Sequence, residues 1–154
     1  LYAGLMIKNS EISVLEFNCR FGDPETQPIL MRMESDLAEI CVLAAQGNLN
    51  EREISWTEDS ALGVVIASKG YPFEYEKNKE INNLENENSR QKIFHAGTIT
   101  QEGQVLSNGG RVLCVTALGS TLLDSKNLAY QKVKNIDWKD GFYRDDIGDK
   151  AIKS

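Results

Sequence analysis

The sequence predicts an α+β protein in two parts: antiparallel strands plus helices first, then a small β-rich α+β unit. Two observations predict it. Short apolar runs at 2–7, 12–18, 61–68, 92–100, 104–107 and 111–118 read as strands, while helical spacing is confined to the segments before residue 47 and from 120 to 136. The charge also changes along the chain. Residues 1–60 carry 4 basic and 11 acidic side chains, whereas residues 61–154 carry 13 and 12, which places a boundary near residue 60.

The elements follow in order. YAGLMI at 2–7 and ISVLEFN at 12–18 flank a turn at Asn9 and Ser10, a hairpin signal. Asp23-Pro24 begins a helical stretch, and Pro28 shifts its expected N-cap to Thr26. Ser35 is expected to cap a second helix over 36–46, with Leu37, Ile40, Cys41 and Ala44 on one face and Gly47 closing it. Residues 48–60 are polar and read as a connection. ALGVVIAS at 61–68 is a buried strand stopped by Gly70 and Pro72, and the Glu-, Asn- and Lys-rich 74–92 segment reads as an exposed loop. Strands at 92–100, 104–107 and 111–118 are divided by turns at 101–103 and 108–110. A helix over 120–136 carries Leu122, Ala129, Val133 and Ile136 on one face, and Trp138, Phe142 and Tyr143 anchor the tail.

Composition excludes several classes. No apolar run approaches the roughly 18 residues of a membrane span, and no secretory leader opens the sequence. A net charge of −6 argues against nucleic acid as the main partner. Cys19, Cys41 and Cys114 are odd in number, widely spaced and set among apolar neighbours, so they read as buried free thiols in a reducing, cytoplasmic setting.

Chemistry concentrates in EFNCRFGDPETQ, residues 16–27. Strand alternation carried to residue 20 puts Glu16, Asn18 and Arg20 on one face, about 7 Å apart at successive positions. Leu15, Phe17 and Cys19 fall on the other, which can be buried. A carboxylate and an amide oxygen suit magnesium, which takes few protein carboxylates and completes its shell with phosphate and water. The Arg20 guanidinium can hold a phosphate or carboxylate, and Gly22 permits a turn that returns Asp23 and Glu25 toward the same place. A solvated strand end with an Arg–Glu pair explains the same residues.

RFGDPETQ at 20–27 resembles the signature of the phosphoribosylamine–glycine ligase (glycinamide ribonucleotide synthetase) family. YAGLMI, LGVVIASKGYP at 62–72, FHAGT at 94–98, NGGRVLCVTALG at 108–119 and the ending DGFYRDDIGDKAI are similar to that family in the same order. The resemblance implies the last part of an ATP-grasp core over residues 1–59 and the family's C-terminal domain over 60–154. It implies an enzyme joining glycine to 5-phosphoribosylamine, with ATP going to ADP and phosphate through glycyl phosphate. Glu16 and Asn18 match the family's Mg²⁺ or Mn²⁺ ligands. Arg20, as catalytic residue, and Asp23 and Glu25, as substrate contacts, match its signature. Many ATP-grasp enzymes supply a further metal-binding acid from the preceding strand, but residues 1–7 contain none.

Because the segments that clamp ATP lie upstream in that family, the chain reads as a fragment lacking its N-terminal part, inactive alone. Two other readings remain: a stand-alone interaction module retaining the fold, and part of another ATP-grasp carboxylate–amine ligase, against which GDPETQ discriminates. Asn108-Gly109-Gly110 precedes a strand instead of a helix, so it reads as a hairpin turn and not a phosphate loop. His95 reads as structural. Arg111 reads either as a structural ion-pair partner or as a residue reaching a substrate phosphate.

Overall fold

Strand β1 (Tyr2–Lys8) and strand β2 (Glu11–Asn18) form an antiparallel hairpin. Its turn residues, Asn9 and Ser10, have φ of 51° and 64°, the paired positive values of the tight turn that matches strand twist. These elements belong to a computed structural model that describes residues 2–50, 52–85 and 88–153.

The hairpin register runs Lys8↔Glu11 to Leu5↔Val14, then slips so that Gly4 faces Glu16 and Tyr2 faces Asn18. Leu15 is the extra residue of this bulge. Cross-strand partners share a face, so Tyr2, Gly4, Glu16 and Asn18 lie together, while Leu5, Val14 and Phe17 lie on the opposite side. The sequence reading buries that opposite side. Instead, Leu15 and Phe17 are each 64% exposed, and Cys19 is exposed as well. No described element covers the face.

Helix α1 (Thr26–Arg32) starts after Glu25, which makes no side-chain cap. Thr26 is therefore the first helical residue and not the N-cap, and its hydroxyl donates to the Gly22 carbonyl at 2.6 Å. Helix α2 (Leu37–Ala45) is capped by Asp36, which accepts from the Ala38 and Glu39 amides at 2.8 and 3.2 Å. Ser35, the expected cap, instead accepts from the Ser55 amide at 2.8 Å. At the other end Gly47 has φ of 71°; its amide donates to the Ala44 carbonyl, and the Asn48 amide to that of Leu43. This is the Schellman closure that glycine favours. Cys41 lies exposed on this helix.

Strand β3 (Ser60–Ser68), strand β4 (Gln91–His95), strand β5 (Thr98–Gln101), strand β6 (Gln104–Ser107), strand β7 (Arg111–Gly119), helix α3 (Leu122–Asn135), strand β8 (Gly141–Phe142) and helix α4 (Asp149–Ile152) complete the described elements. An antiparallel sheet has the order β4-β7-β3-β8, and β5-β6 is a separate hairpin. Val64, Val115 and Ala117 meet Ala129 and Val133 of α3 in the core. On the opposite face lie Gly63 and Cys114, and a Cβ on Gly63 would sit 3.1 Å from Pro28 of α1. The sheet is thus held between α3 and α1, and burial pushes the Cys114 thiol above its ordinary range.

Three further expectations change. The strand expected over 92–100 breaks at Ala96-Gly97, because the backbone there meets another loop: a Cβ on Gly97 would lie 2.8 Å from the Arg111 carbonyl and 3.1 Å from Gly109 Cα. Asn108–Gly110 is accordingly a link between the two sheets and not a hairpin turn; the Asn108 amide donates to Gly97, and the Ser68 amide to Gly110. The 74–92 segment is also strapped down over part of its length. Asn78 and Ile81 donate to Ser107 and Val105, Asn82 and Asp137 exchange amide bonds, and Ile81 is buried. Asn86 and Glu87 of that segment lie outside the described residues. Of the aromatic anchors expected in the tail only Trp138 is buried; Phe142 and Tyr143 stay exposed, and the tail is tied down by the Tyr130 hydroxyl, which donates to the Arg144 carbonyl at 2.6 Å.

Helix α3 opens on a capping box. Thr121 Oγ1 accepts from the Asp124 amide at 3.1 Å, while Asp124 accepts from the Thr121 amide and from the Ser120 and Thr121 hydroxyls. These donors, the Thr121 hydroxyl first, hold the Asp124 carboxyl below its usual range. Since the folded value is depressed, this stabilisation is present above the ordinary carboxylate value and is lost as pH falls through the lowered one. Thr121→Val is expected to raise the Asp124 value, read by carboxyl-carbon NMR titration, and to destabilise most above about pH 4.

Candidate active site

The β1–β2 hairpin, the 20–26 turn and the start of β7 enclose a pocket of about 470 Å³. Glu16, Asn18, Arg20, Asp23 and Glu25, all expected from the sequence to act, line it together with Tyr2, Gly22 and Arg111. Strand β2 ends at Asn18, so Arg20 reaches the pocket from a bend; its guanidinium donates to the Phe21 carbonyl at 3.0 Å. A larger cavity, about 970 Å³, lies between the 80–85 strap and α3, and amide side chains dominate its lining.

The local sequence explains the packing. Gly4 lies across from Glu16, and a Cβ there would come within 3.1 Å of Glu16 Cγ. Gly22 is needed for space more than for its turn: a Cβ would lie 2.4 Å from Glu25 Oε2 and 3.0 Å from its carboxyl carbon. The Tyr2 hydroxyl donates to Glu25 Oε1 at 3.2 Å. The neighbouring Glu25 carboxylate, helped by that hydrogen bond, pushes the Tyr2 phenol up, so Tyr2 stays a donor at neutral pH. Glu25 Oε2 is buried without a hydrogen-bond partner, and such an orphaned acceptor is costly unless a donor reaches it.

Arg111 donates to Asp23 Oδ2 at 2.8 Å, joining the start of β7 to the 20–27 turn. The structure thus shows the ion pair of the first reading, at the wall of the pocket. His95 lies elsewhere: its Nδ1 is 3.0 Å from Thr98 Oγ1, a local contact across the β4–β5 break. Tyr2 is a pocket residue that the sequence alone does not single out. Its signal was the hairpin register, which the bulge at Leu15 displaces by one residue.

The donor set fits a hard divalent cation. Glu16 and Asn18 offer one carboxylate and one neutral oxygen on a shared face, beside a carboxylate oxygen lacking a donor. Among the described residues no group of three or more His, Cys, Asp or Glu is placed to hold a metal. The set therefore suits a cation that takes much of its shell from phosphate and water.

Residues 1–26 match the family model described as phosphoribosylglycinamide synthetase, ATP-grasp (A) domain, so the hairpin and turn that line the pocket belong to an ATP-grasp domain. Residues 61–150 match the model of the phosphoribosylglycinamide synthetase C domain. The chain belongs to the phosphoribosylglycinamide synthetase family, of which it covers the C-terminal portion. It is 49% identical over 153 residues to the phosphoribosylamine–glycine ligase of Pasteurella multocida and 53% identical over 154 residues to that of Vibrio cholerae. Each comparison covers 99% of this chain and 36% of the relative, so the chain spans about a third of their length. The crystal structure of phosphoribosylamine–glycine ligase from Thermotoga maritima superposes with a TM-score of 0.81 at 32% identity, over 94% of this chain and 36% of that one. No described helix is long and apolar enough to cross a membrane.

Proposed function

We propose that these residues form the metal-binding edge and C-terminal domain of a cytoplasmic phosphoribosylamine–glycine ligase. It joins glycine to 5-phosphoribosylamine, with ATP converted to ADP and phosphate. Residues 1–59 complete the ATP-grasp domain and residues 60–154 form the C-terminal domain. The observation that carries this reading is the convergence of Glu16, Asn18, Arg20, Asp23 and Glu25 on one pocket, in a chain of this family.

Glu16 and Asn18 would hold Mg²⁺ or Mn²⁺. When bound, the metal neutralises phosphate charge during phosphoryl transfer. Arg20 stabilises charge on the transferred phosphoryl group as the glycine carboxylate attacks ATP and ADP departs. The amine of 5-phosphoribosylamine then attacks the carbonyl of glycyl phosphate, and phosphate leaves. Glu25, whose Oε2 lacks a donor, accepts from a substrate amine and orients it, while Tyr2 fixes the carboxylate through Oε1. The ATP clamp is supplied by the remaining part of a longer polypeptide.

The test is mass-spectrometric detection of glycinamide ribonucleotide made by the full-length ligase carrying these residues. Formation that requires ATP, glycine and 5-phosphoribosylamine together is expected, and the 154-residue chain alone is expected to form none. A full-length protein that uses a different amine or carboxylate would refute the assignment.

A further inference from the structure

We propose that Arg111 holds the phosphate of the ribosyl substrate, and that Asp23 positions Arg111 to do so. The proposal rests on the ligase reading above and assigns one of its substrate contacts to the second unit. Three features of the pocket support it. Among the described residues, Arg20 and Arg111 are the two cationic side chains in its lining, facing Glu16, Asp23 and Glu25. If Arg20 serves the transferred phosphoryl group, Arg111 remains for the second phosphate of the reaction, that of the ribosyl substrate.

The Arg111–Asp23 pair is also poorly suited to be a mere staple. Both side chains are substantially exposed, at 42% and 61%, and exposed ion pairs add little to stability. The contact uses one guanidinium nitrogen and one carboxylate oxygen at 2.8 Å, so the planar fork retains N–H donors for a second anion. Arg111 is moreover the first residue of β7, just after the Gly109-Gly110 link whose carbonyls accept from Ser68. Its backbone is anchored there while Asp23 fixes the direction of its long side chain.

The test compares the full-length ligase with R111A, R111K, D23N and the exchanged pair D23R/R111D. R111A is expected to raise KM for 5-phosphoribosylamine about 10- to 100-fold, the loss of a charge-assisted contact. Its KM for ATP and glycine is expected to stay within about twofold. Inhibition by ribose 5-phosphate is expected to weaken in parallel. R111K retains charge but not the fork, so an intermediate KM is expected, and this variant decides the matter if R111A fails to fold. D23N is expected to raise the same KM less than R111A does. The exchanged pair restores an ion pair with the cation on the wrong wall, so no recovery is expected. An unchanged KM for 5-phosphoribosylamine in R111A or R111K, or recovery in the exchanged pair, would overturn the proposal while leaving the ligase reading standing. Absence of turnover in the wild-type protein would instead remove the ligase reading itself.

Discussion

Replacing Glu16 with glutamine is expected to lower turnover of the full-length ligase about 100- to 1,000-fold, the scale at which preorganised charge stabilisation acts in enzyme sites. Glutamine keeps the shape and one oxygen but removes the negative charge from a donor set whose other proposed ligand, Asn18, is neutral. The loss should be accompanied by a higher magnesium concentration for half-maximal rate. Stability should change little, because Glu16 is exposed, lies at the end of a hairpin and is not part of the buried core. Steady-state kinetics at a series of magnesium concentrations, with a melting curve beside it, checks both halves. An unaltered rate would remove Glu16 from the proposed metal site.

Leu113→Ala is expected to destabilise the fold by about 2–5 kcal/mol, the range for truncating a buried leucine when its cavity cannot collapse. Leu113 has no exposed surface and lies on β7 between Ile66 of β3 and His95 of β4. Urea unfolding followed by circular dichroism measures the change. Phe17→Ala provides the contrast. Phe17 is 64% exposed in this chain, so the same measurement should show a change within about 0.5 kcal/mol. A large loss at Phe17 and a small one at Leu113 would mean that the sheet with α3 is not the principal core.

Much of the architecture was legible because local chemistry and tertiary packing agree. Asn9-Ser10 between two apolar runs specifies a tight hairpin, and the structure places both residues at positive φ. Leu122, Ala129, Val133 and Ile136 at helical spacing lie on the α3 face that meets the sheet. The candidate site was legible for a related reason: its residues are nearly contiguous, and one hairpin end with the following turn gathers them.

What was not legible depends on contacts between distant segments. Apolar neighbours in sequence suggested buried thiols at Cys19 and Cys41, yet both belong to faces that nothing in the described chain covers. Counting back from a two-residue turn places Tyr2 opposite Phe17; the bulge at Leu15, which leaves no compositional mark, moves it opposite Asn18 and into the pocket. The polar 76–82 segment looked like free loop because its bonds are made by backbone amides to β6, and these do not depend on side-chain character. Asn108-Gly109-Gly110 resembles a hairpin turn by composition, but its glycines serve the close approach to Gly97.

Glu16 and Asn18 are proposed as the protein ligands of the metal that serves phosphoryl transfer. A crystal structure of the full-length ligase with Mn²⁺ and a non-hydrolysable ATP analogue, with the metal located by its anomalous scattering, tests it most directly. An anomalous peak within coordination distance, roughly 2 Å, of both a Glu16 carboxylate oxygen and Asn18 Oδ1 is expected. A nucleotide-bound metal coordinated by other side chains, with neither Glu16 nor Asn18 in its shell, would contradict it.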